Sequence, residues 1–189
     1  MTGSLIILSG PSGVGKDTVI DAWAAKDPRV VRVVAYTTRA PRNGERAGID
    51  YHFVTVDQFL EAASAGDFLE AKEVHGNHYA TPLKDMNALL EAGKIAILKI
   101  DVQGALTAMA LRPDAISVFL LPPDGEELAR RLRSRGTDDD VTVAKRLENA
   151  RGELALAEAY QHRLVNDDIE TVIEKLAAVV PASSRHLPM

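Results

Sequence analysis

The chain contains no cysteine, which excludes disulfides and thiolate metal sites together. No apolar run approaches membrane-spanning length, and no basic N-terminal region leads into a signal-like apolar stretch. A cytoplasmic location is therefore expected. Positive charge is also scarce. The 22 Lys and Arg stand against 27 Asp and Glu, for a formal net charge of −5. That balance lacks the basic footprint of a nucleic-acid surface, so the expected partners are small molecules, with neither nucleic acid nor membrane. No internal repeat is present. A hydrophobic fraction of 46% and a charged fraction of 26% over 189 residues fit one soluble domain, with or without small inserted subdomains. The composition is compatible with a monomer or a small homo-oligomer.

Short apolar runs alternate with helical patterns. Strands are expected at 5–9, 31–35, 94–100, 116–121 and 162–165, and helices at 16–25, 82–92, 103–111, 125–134, 140–160 and 168–179. This alternation predicts an α/β fold, with a mostly parallel five-stranded core sheet covered by helices on both faces. The uninterrupted apolar character of Ile95-Ala96-Ile97-Leu98 and Val118-Phe119-Leu120-Leu121 suits buried parallel strands. Residues 36–81 break the rhythm. An Arg- and Gly-rich loop is followed by strand-like patterns at 51–54 and 68–70, a helix at 56–65 and a tight Gly76-Asn77 turn. The expected organisation is a core of 3–35 and 82–181, a small mixed α+β insertion at 36–81, a polar lid near 131–146 and a frayed tail at 182–189.

Directly after the first apolar run stands Gly10-Pro11-Ser12-Gly13-Val14-Gly15-Lys16-Asp17-Thr18. A strand, a glycine-rich turn and a helix start form a phosphate cradle. Backbone N–H groups turn inward, the helix N-terminus adds its positive end, and Lys16 can reach the β- and γ-phosphates. The whole run, Gly10 to Thr18, is the candidate nucleoside-triphosphate site of P-loop type. One fixed position is not met. The pattern asks for Ser or Thr after the lysine to ligate Mg²⁺, and Asp17 stands there. The inserted region holds Arg39 and Arg42, three residues apart in a turn stiffened by Pro41. Converging guanidinium forks suit a phosphate monoester, and Tyr51 and Tyr79 could add hydroxyl donors. Singly, each arginine reads equally well as a solvated charge and each tyrosine as a core residue with a wet tip. Together they point to a second, phosphorylated substrate.

The motifs taken in order resemble those of guanylate kinases. They are the P-loop run, Thr37-Thr38-Arg39-Ala40-Pro41-Arg42-Asn43-Gly44-Glu45, Gly48-Ile49-Asp50-Tyr51-His52-Phe53-Val54 and Phe68-Leu69-Glu70. Gly76-Asn77-His78-Tyr79-Ala80-Thr81, Ile100-Asp101-Val102-Gln103-Gly104-Ala105, Arg131-Leu132-Arg133-Ser134-Arg135-Gly136-Thr137 and Val165-Asn166-Asp167-Asp168 follow, so the likeness runs from about 5 to 179. The resemblance implies a P-loop kinase fold and transfer of the γ-phosphoryl of ATP to GMP or dGMP, with Mg²⁺. Carried over by position, it makes Arg39, Arg42, Tyr51 and Tyr79 holders of the GMP phosphate, and Glu70, Thr81 and Asp101 readers of guanine. Lys16, Arg131, Arg135 and Arg146 match catalytic cations, and Asn166 and Asp167 would lie near the adenine. The chemistry suits Glu70: a carboxylate accepts from guanine N1–H and the 2-amino group together, and adenine offers neither donor.

Three positions depart from the family pattern: Asp17, Lys99 where an acid is usual, and Ala35 where a serine is frequent. Asp17 could ligate Mg²⁺ itself, or it could pair with Lys99. The two side chains are expected within reach of each other, with Lys99 and Asp101 on one face of their strand. Ribose bisphosphate kinases are similar in fold and tolerate Asp after the lysine. Non-catalytic guanylate-kinase-like modules, which bind proteins, typically lose the lysine that is retained here as Lys16.

Overall fold

The structure, a computed structural model, describes residues 3–74, 76–134 and 140–181. Its elements begin with β1 (Ser4–Ser9), α1 (Lys16–Lys26), β2 (Val30–Arg32), β3 (Tyr36–Thr37), β4 (His52–Phe53), α2 (Val56–Ala65), β5 (Phe68–Val74) and β6 (Asn77–Pro82). They continue with α3 (Leu83–Glu91), β7 (Ile95–Lys99), α4 (Val102–Leu111), β8 (Ile116–Leu121), α5 (Gly125–Ser134), α6 (Asp140–Leu154), β9 (His162–Val165) and α7 (Ile169–Val179).

The core sheet runs β2-β7-β1-β8-β9, and every pairing in it is parallel. Period-2 alternation sorts its side chains onto two covered faces. Ile6, Leu8, Ile95, Ile97, Val118 and Leu120 pack with Val19, Ile20 and Trp23 of α1 and Val172, Ile173 and Leu176 of α7. Leu5, Ile7, Ala96, Leu98 and Phe119 point the other way, onto Met86 of α3, Val102, Ala105 and Ala108 of α4, and Tyr160. Seven of these apolar strand residues are fully enclosed, and burying one of the larger side chains among them is worth roughly 1.5–3 kcal/mol. This packing fixes β1 at the centre of the sheet, so the loop leaving its C-terminal end opens at the sheet's C-terminal edge, where α/β folds bind ligands.

Residues 36–82 form a second sheet, ordered β4-β3-β6-β5, with β3 parallel to β4 and the other pairs antiparallel. Helix α2 occupies the expected residues and starts on a capping box. Thr55 Oγ1 accepts from Gln58 N while the Gln58 side chain accepts from Thr55 N. The tight turn at Gly76 leads into a full strand, β6, which pairs with both β3 and β5.

Several expected boundaries move, among them the strand at 68–70, which runs on to Val74, and two others that show why. The strand expected at 31–35 is Val30–Arg32, followed by one more sheet hydrogen bond from Val33 N to Ile97 O. Beyond it the chain turns away to enter the second sheet. The helix expected at 140–160 ends at Leu154, and a 3₁₀ turn follows at Ala157–Ala159. That turn lets buried Ala157 and Tyr160 reach the core sheet, which a straight continuation would not. The expected lid at 131–146 falls partly, and the tail at 182–189 wholly, outside the described residues.

Candidate active site

The glycine-rich loop runs from the end of β1 into α1 at Lys16, the strand–turn–helix order expected. Gly15 caps α1 at φ 101°, in the left-handed region, and a Cβ there would lie 2.6 Å from Asn166 Nδ2. Glycine is required at this position for backbone and neighbour alike. Lys16 is folded back on its own loop, with Nζ donating to Gly10 O at 2.6 Å and Pro11 O at 3.2 Å. Burial lowers its pKa from 10.5 to about 8; Glu153 opposes this and the charge of Lys99 adds to it. The loop is braced from behind. Asn166 Nδ2 donates to Val14 O at 2.7 Å, Arg131 Nη1 donates to the same oxygen at 3.0 Å, and Arg131 Nη2 donates to Asn166 O at 3.0 Å. Glu127 anchors Arg131 from the side, with Nε donating to Oε1 at 2.7 Å. Bonds from Arg130 and then Arg131 draw the Glu127 carboxyl down to about 2. Asp167 is exposed at the same strand end.

The second sheet supplies the opposite wall. Buried Glu70, on β5, accepts from Thr81 Oγ1 at 2.7 Å across the β5–β6 pairing. Burial raises its pKa, the Thr81 hydrogen bond opposes, and Asp101 adds to the rise. Asp101 caps α4, accepting from Gln103 N at 2.8 Å and Gly104 N at 3.0 Å. A Cβ on Gly104 would meet Glu70 Oε2 at 3.1 Å and Asp101 Oδ2 at 3.5 Å. Glycine at 104 therefore lets the two carboxylates approach side by side at the start of α4. Arg39 forms a bidentate pair with Glu45, at 3.0 Å and 2.9 Å, and its guanidinium lies 5.5 Å from the Tyr51 ring centroid. Glu45 also accepts from Arg42 N at 2.7 Å, and Tyr51 meets Tyr79 edge-on at 6.0 Å.

A cavity of about 300 Å³ joins the two walls. Gly10, Ser12, Gly13, Gly15, Lys16 and Asp17 line it on one side, and Arg42, Tyr51, Glu70 and Tyr79 on the other. Ala35, Lys99, Asp101 and Arg146 also line it. Of the residues singled out from sequence, Pro11, Val14, Thr18, Arg39, Thr81, Arg131, Asn166 and Asp167 do not line it, although Arg39 lies against Tyr51, Thr81 bonds Glu70, and Asn166 and Arg131 stand against Gly15. Arg135 lies outside the described residues.

The expected meeting of Asp17 and Lys99 occurs. Lys99 Nζ donates to Asp17 Oδ1 at 2.8 Å, and Arg32 Nη1 reaches the same oxygen at 2.9 Å. Burial pushes the Asp17 carboxyl up, but Lys99 and then Arg32 outweigh it and hold it below its usual range. Both charged-residue ion pairs end on Oδ1, so Oδ2 is the oxygen with which Asp17 can approach a divalent cation. One carboxylate of this kind, completed by phosphate oxygens and water, is a sufficient protein share for Mg²⁺. Lys99 and Asp101 both line the cavity but do not act as one strand face. β7 ends at Lys99, so the period-2 rule stops there and Asp101 belongs to the cap of α4.

Sequence reasoning assigned no role to Glu45, Arg32 or Glu127. Each of them fixes a cation or carboxylate that the motifs did identify. The signal for Glu127 was its i, i+4 spacing to Arg131; Glu45 stood inside a quoted motif, three residues after Arg42. Arg32 carried no local signal, because its partners lie on α1.

A parallel sheet whose central strand feeds a glycine-rich loop and a lysine, facing a second sheet that offers arginines, tyrosines and a buried carboxylate, defines a P-loop kinase of the nucleoside monophosphate kinase class. The family model described as guanylate kinase matches residues 2–183. A guanylate kinase of Aromatoleum aromaticum is 45% identical over 183 residues, covering 97% of this chain and 90% of its own length. One from Nitratidesulfovibrio vulgaris is 48% identical over 177 residues, covering 94% and 86%. The crystal structure of guanylate kinase from Anaplasma phagocytophilum matches with a TM-score of 0.75 at 35% identity, over 94% of this chain and 84% of that one. The chain belongs to the guanylate kinase family.

Proposed function

We propose that this chain transfers the γ-phosphoryl group of ATP to GMP or dGMP, giving ADP and GDP or dGDP. The observation that carries the reading is a single cavity lined by both Lys16 of the phosphate cradle and the buried carboxylate of Glu70. In this reading the loop Gly10 to Thr18 wraps the triphosphate with its N–H groups, and Lys16 exchanges the carbonyls of Gly10 and Pro11 for phosphate oxygens. Asn166 and Asp167 flank the adenine. Arg39, Arg42, Tyr51 and Tyr79 take the GMP phosphate, with Glu45 holding the Arg39 guanidinium and the Arg42 backbone in place before the substrate arrives. Glu70 accepts from guanine N1–H and the 2-amino group, and Thr81 and Asp101 set its orientation.

Phosphoryl transfer asks for alignment and positive charge more than for covalent chemistry. A GMP phosphate oxygen attacks the γ-phosphorus, the bond to the β-γ bridging oxygen breaks, and its electron pair leaves with ADP. Lys16 and Arg146 face that centre, with Arg135 the further cation expected from sequence. Arg131 contributes by bracing the loop through Val14 and Asn166. Asp17 and the phosphates would hold Mg²⁺, which neutralises charge on the β- and γ-oxygens when bound. Residues 36–81 would act as the GMP-binding unit and the segment near 131–146 as the lid. A cytoplasmic setting follows from the small soluble substrates, and among the described residues no helix is long and apolar enough to cross a membrane.

A coupled assay of the purified protein with ATP against GMP, dGMP, AMP, UMP and ribose 1,5-bisphosphate tests the reading. Turnover of GMP and dGMP, with AMP and UMP poor, is expected. Turnover of ribose 1,5-bisphosphate with GMP ignored would replace it.

A further inference from the structure

Lys99 occupies a place that its pairing with Asp17 does not explain. It is the last residue of β7 and stands in register with Leu8 of β1, one strand over from the chain that runs into the phosphate cradle. Its side chain is only 14% exposed. The ammonium lies 2.8 Å from Asp17 Oδ1, on the donor side of the cavity, and 5.1 Å from the centroid of Tyr51, on the acceptor side. It therefore sits at the seam between the two substrate positions.

A lysine serving only to neutralise Asp17 would duplicate a partner. Arg32 already reaches the same Asp17 oxygen at 2.9 Å and is itself steadied by Asp21 at 2.8 Å. Asp17, whose side chain is 53% exposed, thus keeps an ion-pair partner in Arg32 and access to water if Lys99 turns away. Lys16 and Lys99 also line one cavity and repel each other, since the Lys99 charge disfavours protonation of Lys16. An anion placed between them relieves that repulsion. A lysine ammonium on a flexible four-carbon stem can make this exchange without moving the backbone.

We propose that Lys99 is a catalytic residue of the phosphoryl transfer, its ammonium leaving Asp17 for the equatorial oxygens of the phosphoryl group in flight while Arg32 keeps Asp17 paired. Lys99 retains its proton throughout. The bond that forms runs from the GMP phosphate oxygen to phosphorus, the bond that breaks releases ADP with the electron pair, and the ammonium stabilises the charge on the oxygens between them. The proposal rests on the GMP kinase reading.

The test compares the wild type, Lys99→Met, Asp17→Ser and the double variant Asp17→Ser/Lys99→Met. Steady-state kinetics with ATP and GMP are measured, together with calorimetric affinity for adenosine and guanosine joined by five phosphates. Lys99→Met should lower kcat about a hundredfold, the size of one lost transition-state donor. The KM values for ATP and GMP should stay within about threefold, since the contact forms chiefly in transit. The same drop should separate the double variant from Asp17→Ser, and affinity for the five-phosphate probe should fall in both backgrounds while GMP affinity holds. If the double variant matches Asp17→Ser in kcat, Lys99 is only the counter-ion of Asp17 and the proposal is overturned. Removing both charges at once also keeps the test decisive should Lys99→Met alone fold poorly. A wild type inert toward GMP would instead overturn the reading beneath it, a result visible before any variant is made.

Discussion

Replacing Glu70 with glutamine separates recognition from stability. The wild-type carboxylate shares Oε1 with Thr81 at 2.7 Å and places Oε2 beside Asp101 near Gly104. In Glu70→Gln the amide oxygen keeps the Thr81 bond, and the NH₂ group takes the Asp101 side. Guanine's two donors then lose one charged acceptor, worth roughly 1.5–3 kcal/mol. At about 1.4 kcal/mol per decade this is a fall of about 10- to 150-fold in kcat/KM for GMP. AMP offers no donor at those positions, so its kcat/KM should hold, and the GMP-over-AMP ratio falls by the same factor. Stability moves the opposite way. Burial, with the Asp101 charge adding and the Thr81 bond opposing, holds the Glu70 pKa above its usual 4.5. The folded state therefore binds this proton more tightly than the unfolded chain, and stability is lost as pH rises from about the usual value through the raised one. Glutamine removes that cost. Glu70→Gln should melt above the wild type at pH 7, with the gap closing toward pH 4. Initial-rate kinetics with both nucleotides and calorimetric melting across pH measure the two halves. An unchanged GMP-over-AMP ratio would refute the guanine assignment, and a variant less stable at pH 7 would refute the burial argument.

Other outcomes follow from the same geometry. Lys16→Ala should cost at least about a hundredfold in kcat. In the wild type, ATP affinity should fall as pH rises through about 8, where the buried lysine loses its proton, and the slope should vanish in Lys16→Met when binding is followed by fluorescence or calorimetry. Gly15→Ala, with a Cβ 2.6 Å from Asn166 Nδ2 and φ 101°, should weaken ATP binding at least about tenfold and leave GMP binding intact, as titration of each nucleotide alone would show. Glu45→Ala should raise KM for GMP about tenfold with little change in kcat, because it frees the Arg39 guanidinium and loosens the turn that carries Arg42; a fall in kcat alone would contradict that role.

How much was legible from the sequence varies with the range of the interaction responsible. Runs such as Ile95-Ala96-Ile97-Leu98 marked buried strands because a parallel strand is apolar on both faces whatever its neighbours are. The run Gly10 to Lys16 marked the cradle because backbone turn, helix start and lysine are consecutive in the chain. The helix expected at 56–65 holds to the residue as α2, and the capping box of Thr55 and Gln58 that starts it is itself a local device. Where the strand at 30–32 stops and where α6 ends were not readable, because both are set by what the chain must next reach.

The sequence by itself determined the parallel α/β core and the glycine-rich loop that leads into α1, and it singled out Arg39 and Arg42 as the arginines proposed for the GMP phosphate; each rests on neighbours within a few residues. Tertiary structure alone decided that Glu70 and Asp101 stand side by side at Gly104, that Arg131 braces Val14 and Asn166, and that Arg32 and Lys99 converge on one oxygen of Asp17. Charged side chains compensate one another across whatever distance the fold closes, and 82 residues separate Lys99 from Asp17. No local pattern encodes that meeting; only the order of strands in the sheet brings it about.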